Sequence, residues 1–210
     1  MAAGPFHSVV LKDDGTVYAA GANEEGQLGT GNAGDRRKFV QVFSSGAKAI
    51  VSAKSHILVL KTDGSVWSTG FNDYGQLGIP YKEDQDVYTS FVQTVVSGAQ
   101  ALATGEKHSL VLKKDGTVWG TGSYTLISDD PNPKNSESTV FTLILGPQSK
   151  DAEFVAAGQY HRMVLKKDGS VWASGNNDKG QLGDGSTVKS LGYKHVVSSG
   201  ENRPGASLSL

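Results

Sequence analysis

Cysteine is absent from this 210-residue chain. That excludes a disulfide framework, a thiolate metal centre and a cysteine nucleophile. It fits a reducing compartment without requiring one, because secreted proteins can also lack cysteine. Long apolar runs are missing too: no window approaches the 18 apolar residues that a spanning helix needs. Residues Met1 to Ser8 carry neither a basic start nor an apolar stretch of signal-peptide length. The expected location is therefore cytoplasmic or nuclear, although a secreted chain stripped of its signal would read the same way. Charge of one sign is equally lacking. With 20 Lys and Arg against 21 Asp and Glu, the net charge is −1, so there is no field to hold nucleic acid or an anionic membrane by charge alone. The Gly-rich stretches lack a Lys-Ser/Thr ending and lead into no helical pattern, which excludes a Walker-type or dinucleotide loop.

What the chain has in excess is glycine, 27 residues, nearly twice the usual share. Many glycines without low complexity imply many tight turns, and many turns imply short strands. Four segments repeat without gaps: His7 to Tyr18, His56 to Trp67, His108 to Trp119 and His161 to Trp172. In each, Val-Leu-Lys leads to an Asp-Gly pair beginning seven residues after the His, then to Ser/Thr-Val-aromatic, and a Gly follows at position fourteen: Gly21, Gly70, Gly122 and Gly175. The steps between histidines are 49, 52 and 53 residues. Asp-Gly supplies the positive φ of a tight hairpin turn, and the β-branched and aromatic residues after it suit a half-buried pleated surface. Upstream apolar stretches at Ala49 to Ala53, Ala101 to Ala103 and Phe154 to Ala157 predict a further strand per repeat. Those at Phe39 to Phe43, Phe91 to Val96 and Val140 to Leu145 predict another. Three copies continue into Asn-x-x-Gly-Gln-Leu-Gly, at Asn23 to Gly29, Asn72 to Gly78 and Asn177 to Gly183. This reads as a compact loop with the Leu turned inward and the Gln satisfying backbone groups.

Units of four strands at this period predict an all-β fold, a β-propeller of stacked blades, with one domain over residues 1–210. The repeats run approximately 1–46, 47–98, 99–146 and 147–200, with a closing strand at 201–210. The pattern Ala-Ala-Gly-x-x-His through Gly-Gln-Leu-Gly, fullest from Ala156 to Gly183, resembles the regulator of chromosome condensation repeat, and the likeness covers nearly the whole chain. The resemblance implies blades around a central channel. It also implies a family whose founding members have seven blades and exchange guanine nucleotide on a small GTPase at chromatin, and whose other members are scaffolds, light sensors or parts of ubiquitin ligases. This chain departs from the family pattern in carrying about four repeats, in replacing the third Gly-Gln-Leu-Gly by Ser123 to Pro133, and in lacking a basic tail. Trp67, Trp119 and Trp172 occupy equivalent places in separate blades, which reads as packing and not as a clustered light sensor.

Met1 to Gly4 matches the end of an inner strand, and His195 to Gly200 resembles Gln41 to Gly46. A strand from residues 201–210 beside Met1 would close a four-blade ring; a partial ring, or one completed by a second copy, remains the alternative. The repeated histidines invite a metal site, but a structural role is expected, with each His bonding backbone inside its own blade. The repeated aspartates are explained by their turns. No metal, cofactor or catalytic residue is expected, and the chain is read as a non-enzymatic binding module. Function is sought where the repeat breaks, since those residues are not needed to build a blade. Arg36, Arg37, Tyr74, Tyr81, Tyr88, Tyr124, Asp129 and Asp130 are the candidate partner-binding residues. A protein partner is the leading reading. Carbohydrate bound at several similar sites and a small GTPase taken for nucleotide exchange are the alternatives, and self-association is left open.

Overall fold

The computed structural model describes residues 1–80, 82, 85–123, 137–145 and 150–198. Among the described residues, sixteen strands form four antiparallel sheets of four. The first blade holds β1 (Ala2–Ala3), β2 (His7–Leu11), β3 (Val17–Gly21) and β4 (Arg36–Phe43). The second holds β5 (Ala47–Ser52), β6 (His56–Lys61), β7 (Val66–Phe71) and β8 (Val87–Val95). The third holds β9 (Ala99–Thr104), β10 (His108–Lys113), β11 (Val118–Ser123) and β12 (Glu137–Leu143), and the fourth β13 (Ala152–Ala157), β14 (His161–Lys166), β15 (Val171–Gly175) and β16 (Ser190–Val197). Each sheet runs in chain order, inner strand first. The propeller expected from the repeat is the fold observed. The segment from His195 that resembles Gln41 to Gly46 begins within β16, where His195 pairs with Trp172 as Gln41 pairs with Tyr18.

The blades stack because each has an apolar residue set on both faces. Val9, Val17 and Ala19 of the first blade meet Ile57 and Val59 of the second. Leu58, Leu60 and Val66 of the second meet Val111 of the third, and Leu112 and Val118 of the third meet Val164 of the fourth. Strand β6 is buried along nearly its whole length because successive side chains enter different cores. Each fully buried Leu or Val contributes on the order of 1.5–3 kcal/mol. Among the described residues there are three such interblade cores, and none joins the fourth blade to the first. The expected closing strand, residues 201–210, lies outside the described residues.

The hairpin turns stitch one end of the stack. Gly15, Gly64 and Gly116, all at positive φ, accept through their carbonyls from the amides of Ala47, Ala99 and Ala152, which begin the next blade. A Cβ on Gly116 would fall 2.0 Å from the carbonyl oxygen of Lys150, so only glycine lets the chains pass. The turn aspartates have a structural task. Asp63 Oδ1 accepts from the Ser65 amide at 2.8 Å and its hydroxyl at 2.6 Å, and Ser65 Oγ in turn accepts from the Trp67 indole at 3.2 Å. Asp115, Thr117 and Trp119 repeat the relay. Lys113 lies 3.8 Å from the Trp119 ring centroid and Lys166 4.7 Å from that of Trp172. The motif Lys-x-Asp-Gly-Ser/Thr-Val-Trp is thus one interlocked turn.

Candidate functional site

At the opposite end of the blades lie the turns before each histidine and the loops between third and fourth strands. The Asn of Asn-x-x-Gly-Gln-Leu-Gly organises the loop. Asn23 Oδ1 accepts from the Leu28 amide at 2.9 Å, while its Nδ2 donates to Asn32 O at 2.7 Å and Gly34 O at 3.0 Å. Asn72 and Asn177 hold Leu77 and Leu182 in the same way. Leu28, Leu77 and Leu182 are all fully buried. The glutamines satisfy backbone as expected, Gln27 and Gln76 accepting from the amides of Glu25 and Tyr74. A hydroxyl from the next blade braces two of these loops: Thr69 donates to Gly26 O at 3.0 Å and Thr121 to Gly75 O at 2.8 Å.

The histidines are structural, but two bond across blades and not to backbone of their own blade. His7 Nε2 meets Ser52 Oγ at 2.7 Å, and His56 Nε2 meets Ser109 Oγ at 2.9 Å. The pairing differs from the expectation because each ring packs over its own blade's preceding turn. A Cβ on Gly4 or Gly105 would lie 2.2 Å or 2.1 Å from the Cε1 of His7 or His108. The other edge of His7 and of His56 therefore faces the neighbour. Burial first, then the charges of His108 and His7, push His56 down to about 3; burial, Arg162 and His161 push His108 to about 3. These rings are neutral at ordinary pH. Among the described residues no group of three or more His, Asp or Glu is placed to hold a metal.

The inner turns of all four blades converge on one cavity of about 430 Å³, the mouth of the channel, lined by Gly4, Ala53, Gly105 and Gly158 among others. Lys54 and Glu106 also line a second cavity of about 440 Å³, walled by the first three blades. Phe6, 75% exposed, lines it together with Phe71 and Tyr74 and the charged residues Glu24, Glu25 and Lys107. Tyr74 packs edge-on to Phe71, ring centroids 6.3 Å apart, and Lys107 Nζ stands 3.9 Å from the Tyr74 centroid. Glu106 bridges three blades: Lys54 approaches it at 3.4 Å, Tyr160 donates to it at 2.7 Å, and Gln159 donates to it as well. Partial burial pushes the Glu106 carboxyl up, but the hydrogen bonds from Gln159, Tyr160 and Lys54 outweigh it and hold it below the usual carboxylate range. A lateral gap of about 560 Å³ between the outer strands of the second and third blades is lined by Val92, Val95, Trp119 and Phe141. It arises where radial blades fan apart, and Gln93, Thr94, Ser97 and Lys113 stand among its apolar lining.

Of the residues singled out from the repeat breaks, Tyr74 lines the loop-face cavity. Arg37 is exposed on β4. Arg36 is spent on its own loop, donating to Gly34 O at 2.5 Å and Asn32 Oδ1 at 2.8 Å. Tyr88 is 7% exposed and packs with Leu77 and Ile79, because the period of β8 turns its ring into the core. Tyr81, Tyr124, Asp129 and Asp130 lie outside the described residues. Phe6, Lys54, Glu106 and Lys107 had not been singled out. They lie in the turns just before a repeated His, at two positions that differ in all four copies: Pro-Phe, Lys-Ser, Glu-Lys and Gln-Tyr. That variation was the available signal.

Comparison with known proteins places these features in context. The family described as "Regulator of chromosome condensation (RCC1) repeat" matches residues 1–27, 48–76 and 153–181, and a second profile of the same description matches 63–112. The chain is 40% identical over 185 residues to mouse "Probable E3 ubiquitin-protein ligase HERC4", covering 84% of this chain and 17% of that protein. It is 27% identical over 188 residues to the "Secretion-regulating guanine nucleotide exchange factor" of cattle (Bos taurus), covering 85% and 40%. The chain thus spans less than half the length of these curated relatives. Prp20p from Saccharomyces cerevisiae, whose structure is described together with "Its Binding Properties to Gsp1p and Histones", superposes with a TM-score of 0.79 at 22% identity, over 94% of this chain and 50% of that one.

Proposed function

With this chain a member of the RCC1 repeat family, we propose that it is a non-enzymatic interaction module that takes a protein partner on the loop face at the channel mouth. The observation that carries this reading is the pair of adjoining cavities sharing Lys54 and Glu106, one of them lined by exposed Phe6, by Tyr74 and by charges of both signs. Aromatic anchors rimmed by polar groups are what protein interfaces use for affinity and register. A shelf of roughly 400 Å³ suits one or two side chains of a partner better than a small molecule enclosed on most sides. Ser52 lines the channel-mouth cavity and meets His7 Nε2 at 2.7 Å, but His7 Nδ1 finds no partner among the described residues to orient the ring as a base, and the strongly shifted His56 and His108 are walled in by neighbouring blades. That distribution favours recognition over chemistry.

The test is binding of partners captured on the immobilised chain, compared between the native chain, the double variant Phe6→Ala/Tyr74→Ala and the control Arg37→Ala. Loss with the double variant and retention with the control supports the face. Equal retention by all three overturns it. Nucleotide release from a panel of small GTPases, run alongside, decides the exchange-factor alternative that the bovine relative raises, and a glycan array decides the carbohydrate alternative.

A further inference from the structure

The two ends of the blade stack are built like its interior, yet nothing packs on them among the described residues. Register identifies the equivalent positions. In the outer strands, Gln41 pairs with Tyr18, Gln93 with Trp67, Leu143 with Trp119 and His195 with Trp172. Two residues earlier stand Phe39, Phe91, Phe141 and Tyr193, one aromatic per blade. Inside the stack this aromatic packs on the last glycine of the preceding blade's loop. A Cβ on Gly29 would be 2.5 Å from the Phe91 ring, and one on Gly78 would be 2.5 Å from the Phe141 ring. The equivalent glycine of the fourth blade, Gly183, has the same positive φ of 71° and no described atom within 4 Å of that position. At the other end, Phe39 is 51% exposed. One end offers an aromatic without a seat, and the other a seat without an aromatic.

The rest of the two faces matches in kind. On the fourth blade Met163, Leu165 and Val171 are only partly covered, where Leu58, Leu60 and Val66 of the second blade are fully buried by the third. Phe154 and Val197 on the same blade are 53% and 38% exposed. On the first blade Val10 is partly covered where Val59, Val111 and Val164 are fully buried. Ser8 is exposed where Ser109 is fully buried, donating to Gln76 O at 2.7 Å and meeting His56. The residues that Ser8 would address in the same way are Gln181 and His161.

We propose that two copies of this chain join head to tail, each fourth-blade face receiving the first-blade face of the other, with Phe39 seated on Gly183 and Ser8 against His161 and Gln181. What covers such faces in the interior is another blade of the same repeat, so a second copy is the occupant that fits. The arc overlays half of the Prp20p chain, and among the described residues no apolar core joins its fourth blade to its first. Two identical junctions related by a two-fold axis then close the assembly and leave no apolar end face. This inference is independent of the loop-face reading, since it uses the lateral faces of the blades.

Light scattering or sedimentation of the 210-residue chain is the test. The expected mass is twice 22.1 kDa. Phe39→Glu and Phe154→Glu, both at exposed positions on opposite faces, are each expected to give the single-chain mass with an unchanged far-UV spectrum. An equimolar mixture of the two is expected to associate again, because one junction then pairs two intact faces. A native chain of single mass overturns the proposal, and so does a Phe39→Glu variant that stays paired. A chain cut after residue 198 that pairs when the full chain does not would assign the face to the chain's own last residues, and would overturn it as well.

Discussion

Changing Asn23 to aspartate alters one donor group and almost no volume, in the best-defined loop of the molecule. The Asn23 side chain is fully buried. Its Nδ2 donates to Thr30 Oγ1 at 3.0 Å, Asn32 O at 2.7 Å and Gly34 O at 3.0 Å, while Oδ1 accepts from the Leu28 amide. Aspartate keeps the bond to Leu28 but turns an oxygen onto two carbonyls, with the carboxylate of Asp35 already accepting from the Asn23 amide at 2.8 Å. Losing the donor bonds and burying an unpaired charge costs about 3 kcal/mol at neutral pH. Protonation limits that cost. The new carboxyl has its folded-state pKa raised above the unfolded value, so the folded variant binds its proton first. The stability lost at pH 7 is then regained as pH falls through the folded pKa. Urea unfolding of both chains at pH 7 and pH 5 measures this, and effects common to both cancel in the difference. The gap is expected to be about 3 kcal/mol at pH 7 and distinctly smaller at pH 5. A gap below roughly 0.5 kcal/mol at pH 7, the usual range of an inconsequential surface change, would refute the role given to the asparagine. So would a gap that widens on acidification.

Gly78→Ala places a methyl group against the Phe141 ring at a φ of 75°, and a loss of about 2 kcal/mol in thermal or urea unfolding is expected. Burial holds the folded-state pKa of His56 and of His108 down to about 3, against 6.5 for a free imidazole. Between those limits the unfolded chain binds more protons, so stability falls on acidification from pH 6.5 towards 4, by up to about 1.4 kcal/mol per pH unit for each histidine. Urea titrations across that range check it, and His108→Gln should make the dependence shallower. Glu106→Gln removes the charge facing Lys54, whose side chain is 59% exposed, and is expected to change stability by less than about 0.5 kcal/mol. A larger loss by the same assay would make the rim network a fold element in its own right.

Fold architecture was legible because local and long-range demands coincide in the repeat. Asp14, Asp63, Asp115 and Asp168 each cap the turn that their Asp-Gly pair announces, and strand alternation follows from needing a neighbour on both faces. Contacts between blades were less legible. Nothing in the order of residues tells that His56 meets Ser109, fifty-three positions away, or that Phe91 lies on Gly29; such pairs depend on how far each sheet turns relative to the last. The candidate site was legible only in part for the same reason. Tyr74 reaches the loop face, but Phe6, Lys54 and Glu106 become neighbours only when three blades bring their inner turns together. Tyr88 looked like a loop aromatic, and the register of β8 put it inside.

Successive blades cover one another's apolar faces around a common axis. Amide hydrogen exchange resolved by strand tests this most directly. In the single-chain Phe39→Glu variant, strands β6 and β10, with a blade on both sides, should exchange slowest; β2 and β14, which open onto the ends of the stack, should be faster; and the outer strands β4, β8 and β16 fastest. Equal protection of β2, β6, β10 and β14 in the single-chain Phe39→Glu variant would mean that each sheet is stable by itself, and would contradict the account.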